Sequence, residues 1–269
     1  MTKRNFCRLK FLLSVLLLIS FGACDNSVDP VDKDLGIFSI YGAIDIDAQV
    51  NYIRVRDLNA PFTLEATEEL DAEVVLENIN SGFSETLTSI RKEADGVYVH
   101  NFEVTQSIVP DNDYRIYVTR SDGRQVVLDM TSPNKAVFEV TPEVNSCFTP
   151  VTITLSNVQT GTVTVSIGVP FRGRYWMEPD VFRVTNEGAN NEYEITYNPG
   201  GLLGGIPANF EDEVTCEDIN GEEYLVSISH YGPGFYEKLF VESFDILETS
   251  KRFGSYYQDT LATKLSFPE

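Results

Sequence analysis

From Ile37 onward, apolar and polar residues alternate in short runs, and turn-forming residues punctuate those runs. In Tyr114–Thr119, the residues Tyr114, Ile116 and Val118 alternate with Arg115, Tyr117 and Thr119, the period of two of a strand buried on one face. Comparable runs at Ile37–Ile44, Asn51–Arg56, Glu73–Ile79, Glu85–Arg91, Val97–Phe102 and Gln125–Met130 predict further strands. Asp122-Gly123 between two of these runs is a strong hairpin signal, and Asn80-Ser81-Gly82 and Asp95-Gly96 mark two more turns.

Thr131-Ser132-Pro133-Asn134 reads as a boundary, because proline interrupts strand pairing and its neighbours favour turns. A second set of runs follows at Ala136–Val140, Val151–Leu155, Thr162–Val169, Val181–Thr185, Glu192–Tyr197 and Tyr224–His230. Phe235–Lys251 differs: it follows Gly232-Pro233-Gly234, lacks internal Gly and Pro, and spaces Tyr236, Leu239, Phe240, Phe244 and Leu247 as one helical face. An amphipathic helix at about 235–251 is expected there, and Phe253–Glu269 is expected to be loop or edge strand. The fold class is therefore mostly β, with two consecutive antiparallel β-sandwich-like domains at 36–132 and 133–269. The first is of immunoglobulin or transthyretin type.

The N-terminus carries a different pattern. Lys3, Arg4, Arg8 and Lys10 precede an apolar run from Phe11 to Phe21, and the small pair Gly22-Ala23 follows. That order is a secretory signal over residues 1–23, and its apolar run falls short of the roughly 20 residues needed to span a bilayer. Phe21-Gly22-Ala23-Cys24 resembles the lipobox of bacterial lipoproteins, so Cys24 is the expected lipidation site and the first mature residue. Each buried methylene of an attached chain contributes about 0.8 kcal/mol, and several chains give stable anchoring. The following stretch is polar, acidic and broken by Pro30, a composition that cannot bury a core, so residues 24–35 are expected to be a flexible tether. Asp25 resembles an inner-membrane retention signal of some enteric bacteria. Early acidic residues equally resemble surface-export signals in Bacteroidota. Both remain open.

Charge narrows the partners. The whole chain has a formal net charge of −21, and removing a leader with four basic and no acidic residues takes it to −25. Nucleic acid and anionic lipid surfaces both require basic patches, so neither is an expected ligand. Of the four cysteines, Cys7 leaves with the leader and Cys24 takes lipid, so Cys147 and Cys216 are left as an expected disulfide. A closed loop of about 70 residues would stabilise the fold by roughly 4 kcal/mol in the chain-entropy picture. Two free buried thiols are the alternative.

Several segments together resemble a known group: the lipobox at Cys24, FSIYGAIDIDAQVNYIRVRD from Phe38 to Asp57, DYRIYVTRSDGR from Asp113 to Arg124, and VSISHYGPGFYEKL from Val226 to Leu239. The chain resembles the two-domain lipoproteins of unknown function in Bacteroidota that are often encoded beside TonB-dependent outer-membrane receptors. That resemblance implies an outer-membrane envelope protein with two β-rich domains, and it brings no catalytic residues with it.

Catalytic patterns are sparse. There is no G-x-S-x-G elbow, no H-E-x-x-H and no C-x-x-C. His100 and His230 each sit in a strand-like run without a second histidine nearby. Asp45 with Asp47, and Asp111 with Asp113, place carboxylates two apart, as a calcium turn would, but no EF-hand loop accompanies them. Glu211-Asp212-Glu213 and Glu217-Asp218 would need a cleft to act as acid and base. Gly200–Gly205 lacks the Lys-Ser/Thr of a phosphate loop. No metal, cofactor or catalytic residue is therefore expected. Phe171–Trp176 concentrates Arg172, Arg174, Tyr175 and the only tryptophan, Trp176, in an otherwise acidic chain. Tyr, Trp and Arg dominate interface hot spots, so these four are candidate partner-binding residues. A core tryptophan flanked by paired arginines is the alternative. The expected function is a non-enzymatic, lipid-anchored envelope module contacting an outer-membrane receptor, TonB-dependent in kind, or a surface polymer. A structural subunit of a surface fibre and a hydrolase with an acidic site are the other classes.

Overall fold

The computed structural model describes residues 37–59, 69–94, 97–141, 150–171, 174–188, 191–198, 216–217, 223–240 and 251–264. Strands in the first half are β1 (Phe38–Asp45), β2 (Asn51–Asp57), β3 (Glu73–Asn78), β4 (Phe83–Thr86), β5 (Thr88–Ala94), β6 (Val97–Val104), β7 (Asp113–Thr119) and β8 (Gln125–Thr131). The second half adds β9 (Val137–Thr141), β10 (Val151–Val158), β11 (Gly161–Phe171), β12 (Arg174–Asn186), β13 (Asn191–Tyr197), β14 (Glu223–Tyr231) and β15 (Lys251–Lys264). One short helix, α1 (Phe235–Phe240), follows β14. The chain is mostly β, as its periodicity predicts.

A large sheet runs in the order β12-β11-β14-β15-β1-β2-β6-β5, and two smaller sheets run β4-β3-β7-β8 and β13-β10-β9. Alternation sets which face is buried. On β7 the residues Tyr114, Ile116 and Val118 are wholly buried, while those between them are partly open to solvent. Each such side chain contributes roughly 1.5–3 kcal/mol when taken out of water. Val74 and Leu76 from β3 join Ile40, Ile53 and Phe102 from the large sheet in the buried cluster, and Ile153, Leu155 and Ile195 join Val163, Val165 and Ile228 there. The layers also touch at their ends: Gln106 donates to the Leu76 carbonyl at 3.2 Å, and the Tyr197 and Tyr224 rings meet edge-on at 6.3 Å. The Asp-Gly hairpin forms as expected, with Gly123 at φ 82° and its amide donating to the Arg120 carbonyl at 2.9 Å.

Four elements differ from the sequence expectation. The run Glu85–Arg91 is not one strand: β4 pairs in a small sheet and β5 in the large one, and the chain crosses between layers at Leu87. The expected strand Val181–Thr185 extends back to Arg174, because β12 pairs with β11 through Phe171↔Arg174. The tail is neither loop nor edge: β15 pairs antiparallel with β14 and parallel with β1, near the centre of the large sheet. The expected helix at about 235–251 is described only as far as Phe240, and Lys251 already belongs to β15.

The pairing of β1 with β15 is the only parallel one among the described strands, and it carries the large sheet across the expected boundary at 132/133. The connection itself is held. Ser132, Asn134 and Ala136 are buried, and the Ser132 hydroxyl donates to the Val109 carbonyl at 2.6 Å. Residues Ile37–Glu269 form one compact unit.

Candidate functional site

The loop after β14 builds the most distinctive surface. Gly232 donates its amide to the Ser255 carbonyl at 2.9 Å, and its carbonyl accepts from the Phe235 amide at 3.0 Å, which turns the chain into α1. A Cβ at Gly232 would lie 2.2 Å from the Thr131 carbonyl oxygen, so the bend fits there only without a side chain. Phe235 and Tyr236 are buried, and Phe235 lies directly over Gly254 of β15.

Around this bend the aromatic rings form a continuous band. Tyr231 contacts Tyr236 at 5.2 Å, Phe240 at 6.1 Å, Tyr256 at 6.1 Å and Phe235 at 6.4 Å between ring centroids. Tyr236 and Phe240 stand 4.6 Å apart. On β12, Arg183 donates to the Tyr236 hydroxyl at 3.0 Å and lies 5.1 Å from that ring's centre, a cation–π arrangement. At the other end, burial raises the Tyr256 phenol above its ordinary value, and Asp45, Tyr231 and Tyr41 push it the same way. The band therefore runs from β15 through β14 to α1, where Phe240 is 58% exposed, and Tyr41 on the neighbouring β1 is 46% exposed. Such a face can stack on an apolar side chain or on the face of a sugar ring.

The sequence-selected residues scatter. Arg174, Tyr175 and Trp176 begin β12, an outer strand of the large sheet, where they pair with Phe171, Pro170 and Val169; Arg172 lies outside the described residues. Arg183, on the same strand, belongs to the aromatic band instead. Cys24, Cys147, Gly200–Gly205, Glu211–Glu213 and Asp218 also lie outside the described residues, while Cys216 is half-buried against the core.

Asp45 and Asp47 are occupied as turn residues: an Asp45 carboxylate oxygen accepts the Asp47 amide at 2.9 Å, and Asp47 pairs with Lys135. Asp113 accepts the Thr131 hydroxyl at 2.7 Å, and Asp111 takes a left-handed conformation at φ 59°. No cluster of three or more His, Cys, Asp or Glu that could hold a metal occurs among the described residues. His100 is half-buried on β6, far along the chain and sheet from His230, which is wholly buried on β14.

Tyr41 and Tyr231 lie in the segments Phe38–Asp57 and Val226–Leu239 that carry the resemblance, but neither they nor Tyr256 and Arg183 are among the expected contact residues. The available signal was the density of tyrosine at the end of β14 and in the middle of β15, which only the sheet order brings together.

No protein-family profile matches the chain, and no curated protein matches it. Among solved structures it is similar to a pullulanase from Anoxybacillus sp. LM18-11, at 12% identity and a TM-score of 0.25, over 72% of this chain and 24% of that one. It spans about a quarter of that enzyme's length. It is also similar to a tetra-tandem repeat in the extending region of a large adhesion protein, at 13% identity and a TM-score of 0.24, over 86% and 49% of the two chains. Fibronectin(III)-like modules of Clostridium thermocellum CbhA match at 14% identity and a TM-score of 0.25, over 86% and 94%. TM-scores this low carry neither fold nor function from one chain to another.

Proposed function

We propose that this protein is a lipid-anchored module of the cell envelope that works by binding, with the aromatic face beside α1 as its contact surface. The observation carrying the proposal is the band itself, with Phe240 open at its α1 end and Tyr41 exposed on the neighbouring β1. Aromatic side chains give contact area at little entropic cost, and they cluster where partners bind. The partner in this reading is an outer-membrane receptor of the TonB-dependent kind or a surface polymer. Arg174, Tyr175 and Trp176 at the start of β12, with Arg172 two residues before Arg174 in the sequence, form a second contact. The leader pattern and Cys24 support the anchor, and residues 24–35 serve as the tether. The compact unit beginning at Ile37 fits a tether that ends just before it. A bond between Cys147 and Cys216 belongs to the same exported state.

The test compares full-length protein with a Tyr41→Ser/Phe240→Ser variant in capture from native outer membranes, read by mass spectrometry. A receptor or polymer captured by the parent and lost by the variant, at an unchanged unfolding midpoint, is the expected outcome. Equal capture by both would sink the proposed face. Cys24→Ser should abolish incorporation of labelled fatty acid, and persistence of the label would remove the anchor.

A further inference from the structure

His230 lies at the place where the two halves of the chain are joined. It is wholly buried on β14, between Val163 of β11 and Tyr257 of β15 in the strand register. Its Nδ1 stands 3.0 Å from the Asn134 carbonyl oxygen, which can only accept, so Nδ1 carries the hydrogen and donates it. Nε2 makes no well-formed hydrogen bond, although the Thr160 backbone beside it favours a proton there. On that side the wall is Gly161: a Cβ there would lie 3.3 Å from Nε2 and 2.1 Å from the Tyr231 carbonyl oxygen.

Asn134 belongs to the strap Ser132–Lys135 that follows β8. Its side chain donates to the Asn157 carbonyl and accepts the Gln159 amide at 3.2 Å. Asn157 returns a hydrogen bond to the Lys135 carbonyl at 2.9 Å, and Ser132 accepts the Asn112 amide at 3.0 Å. The strap is thus tied to the first half at Asn112, to the β10–β11 segment at Asn157 and Gln159, and to β14 through one imidazole.

Among the described residues, the groups at this junction include Tyr257 of β15, the register partner of His230, with Lys135 on the strap and Asp47 in the turn after β1. Asp47 is already paired with Lys135, the Lys135 ammonium lies 5.8 Å from the Tyr257 ring, and the Tyr257 hydroxyl donates to Asp259 at 3.3 Å. β11 presents Val163 and Gly161, which carry no charge.

We propose that His230 makes this strap an acid-released clasp: the added proton enters at the unpartnered Nε2 and places a charge in a dry junction that only opening of the strap can hydrate. Burial holds the imidazole below its ordinary value, more strongly than the Asn134 and Thr160 backbone groups raise it. The closed state therefore resists a proton that the open state accepts. The clasp holds fully above the ordinary imidazole value and weakens as pH falls below it, by up to about tenfold in the closed-to-open ratio per pH unit.

Only two histidines exist, so proton NMR of the full chain in detergent can follow both imidazoles, with His100→Gln assigning them. Hydrogen exchange, corrected for intrinsic rates, is followed from pH 7.5 to 5 at the Gln159 and Asn112 amides. The ladder amides of Leu76 and Ile116 serve as internal controls. The expected result is a His230 resonance that titrates below its ordinary range, with Gln159 and Asn112 losing protection first. In His230→Gln the acid-dependent loss should disappear. His230 titrating like a free imidazole with protection unchanged would overturn the clasp, as would simultaneous loss at all four amides. If His230→Gln does not fold, the titration and exchange of the parent chain still decide.

Discussion

At the scale of single residues, the surface beside α1 depends on absent side chains as much as on present ones. Gly254 has no Cβ because the Phe235 ring occupies that space, with a Cβ–Cδ2 separation of 2.2 Å if one were built. Gly254→Ala must push Phe235, and α1 with it, off β15. The expected cost is about 1–3 kcal/mol, typical of inserting a methyl group into a packed site. Chemical denaturation checks it, and Phe235→Ala in the same chain should recover part of the loss through non-additivity. Nothing in the sequence singles out Gly254 for this role. A glycine in a polar tail reads as loop, and only the return of α1 over β15 explains it.

Among the elements, legibility follows how many faces are buried. β3 and β7 bury one face, so their period of two is plain in the sequence. β15 is covered on both faces at its first half: Phe253, Gly254, Ser255 and Tyr257 are all buried, and Gly and Ser blur the alternation. The crossing at Leu87 was equally hidden, since a strand that changes sheets keeps an extended backbone and shows no turn residue. Leu87 is 5% exposed and its amide donates to the Val74 carbonyl at 2.8 Å, which pins the crossing. Leu87→Ala is expected to cost about 2–5 kcal/mol, as for other buried leucines. Phe83→Ala, four residues earlier and 57% exposed, should change the midpoint by less than about 0.5 kcal/mol. Equal effects at the two positions would show that the crossing is not held by Leu87. The candidate face was legible only in part. Tyr236 and Phe240 follow from helical spacing, whereas Tyr231 and Tyr256 meet through a sheet order that no local pattern encodes.

Across the whole molecule, buried phenols give a second dependence on pH, opposite in direction to that of His230. Burial raises Tyr114, Tyr197, Tyr224 and Tyr256, and Tyr257 is pushed up to about 12. The folded chain keeps these protons where the unfolded chain gives them up. The stability they contribute is complete below about pH 10 and is lost as pH rises past that value. Phenolate absorbance in alkali should therefore show a slow, unfolding-limited group among the 13 tyrosines. Immediate ionisation of all of them in a chain that stays folded would contradict the buried positions. The mostly β class follows from the alternating runs, but the sheet that crosses the expected boundary does not, because its seam is a pairing between distant strands.

That seam also sets an order of events as the chain folds. β1 can pair with β2 as soon as both have emerged, yet its other edge stays empty until β15, about 200 residues later, arrives. Pairing so remote in the chain carries a large loop-closure cost and is intrinsically slow. A chain that emerges from its N-terminus thus holds its largest sheet unfinished, with an open strand edge, until β15 is made. Whatever shields newly made chains from sticking to one another has its longest task here between the arrival of β2 and the arrival of β15.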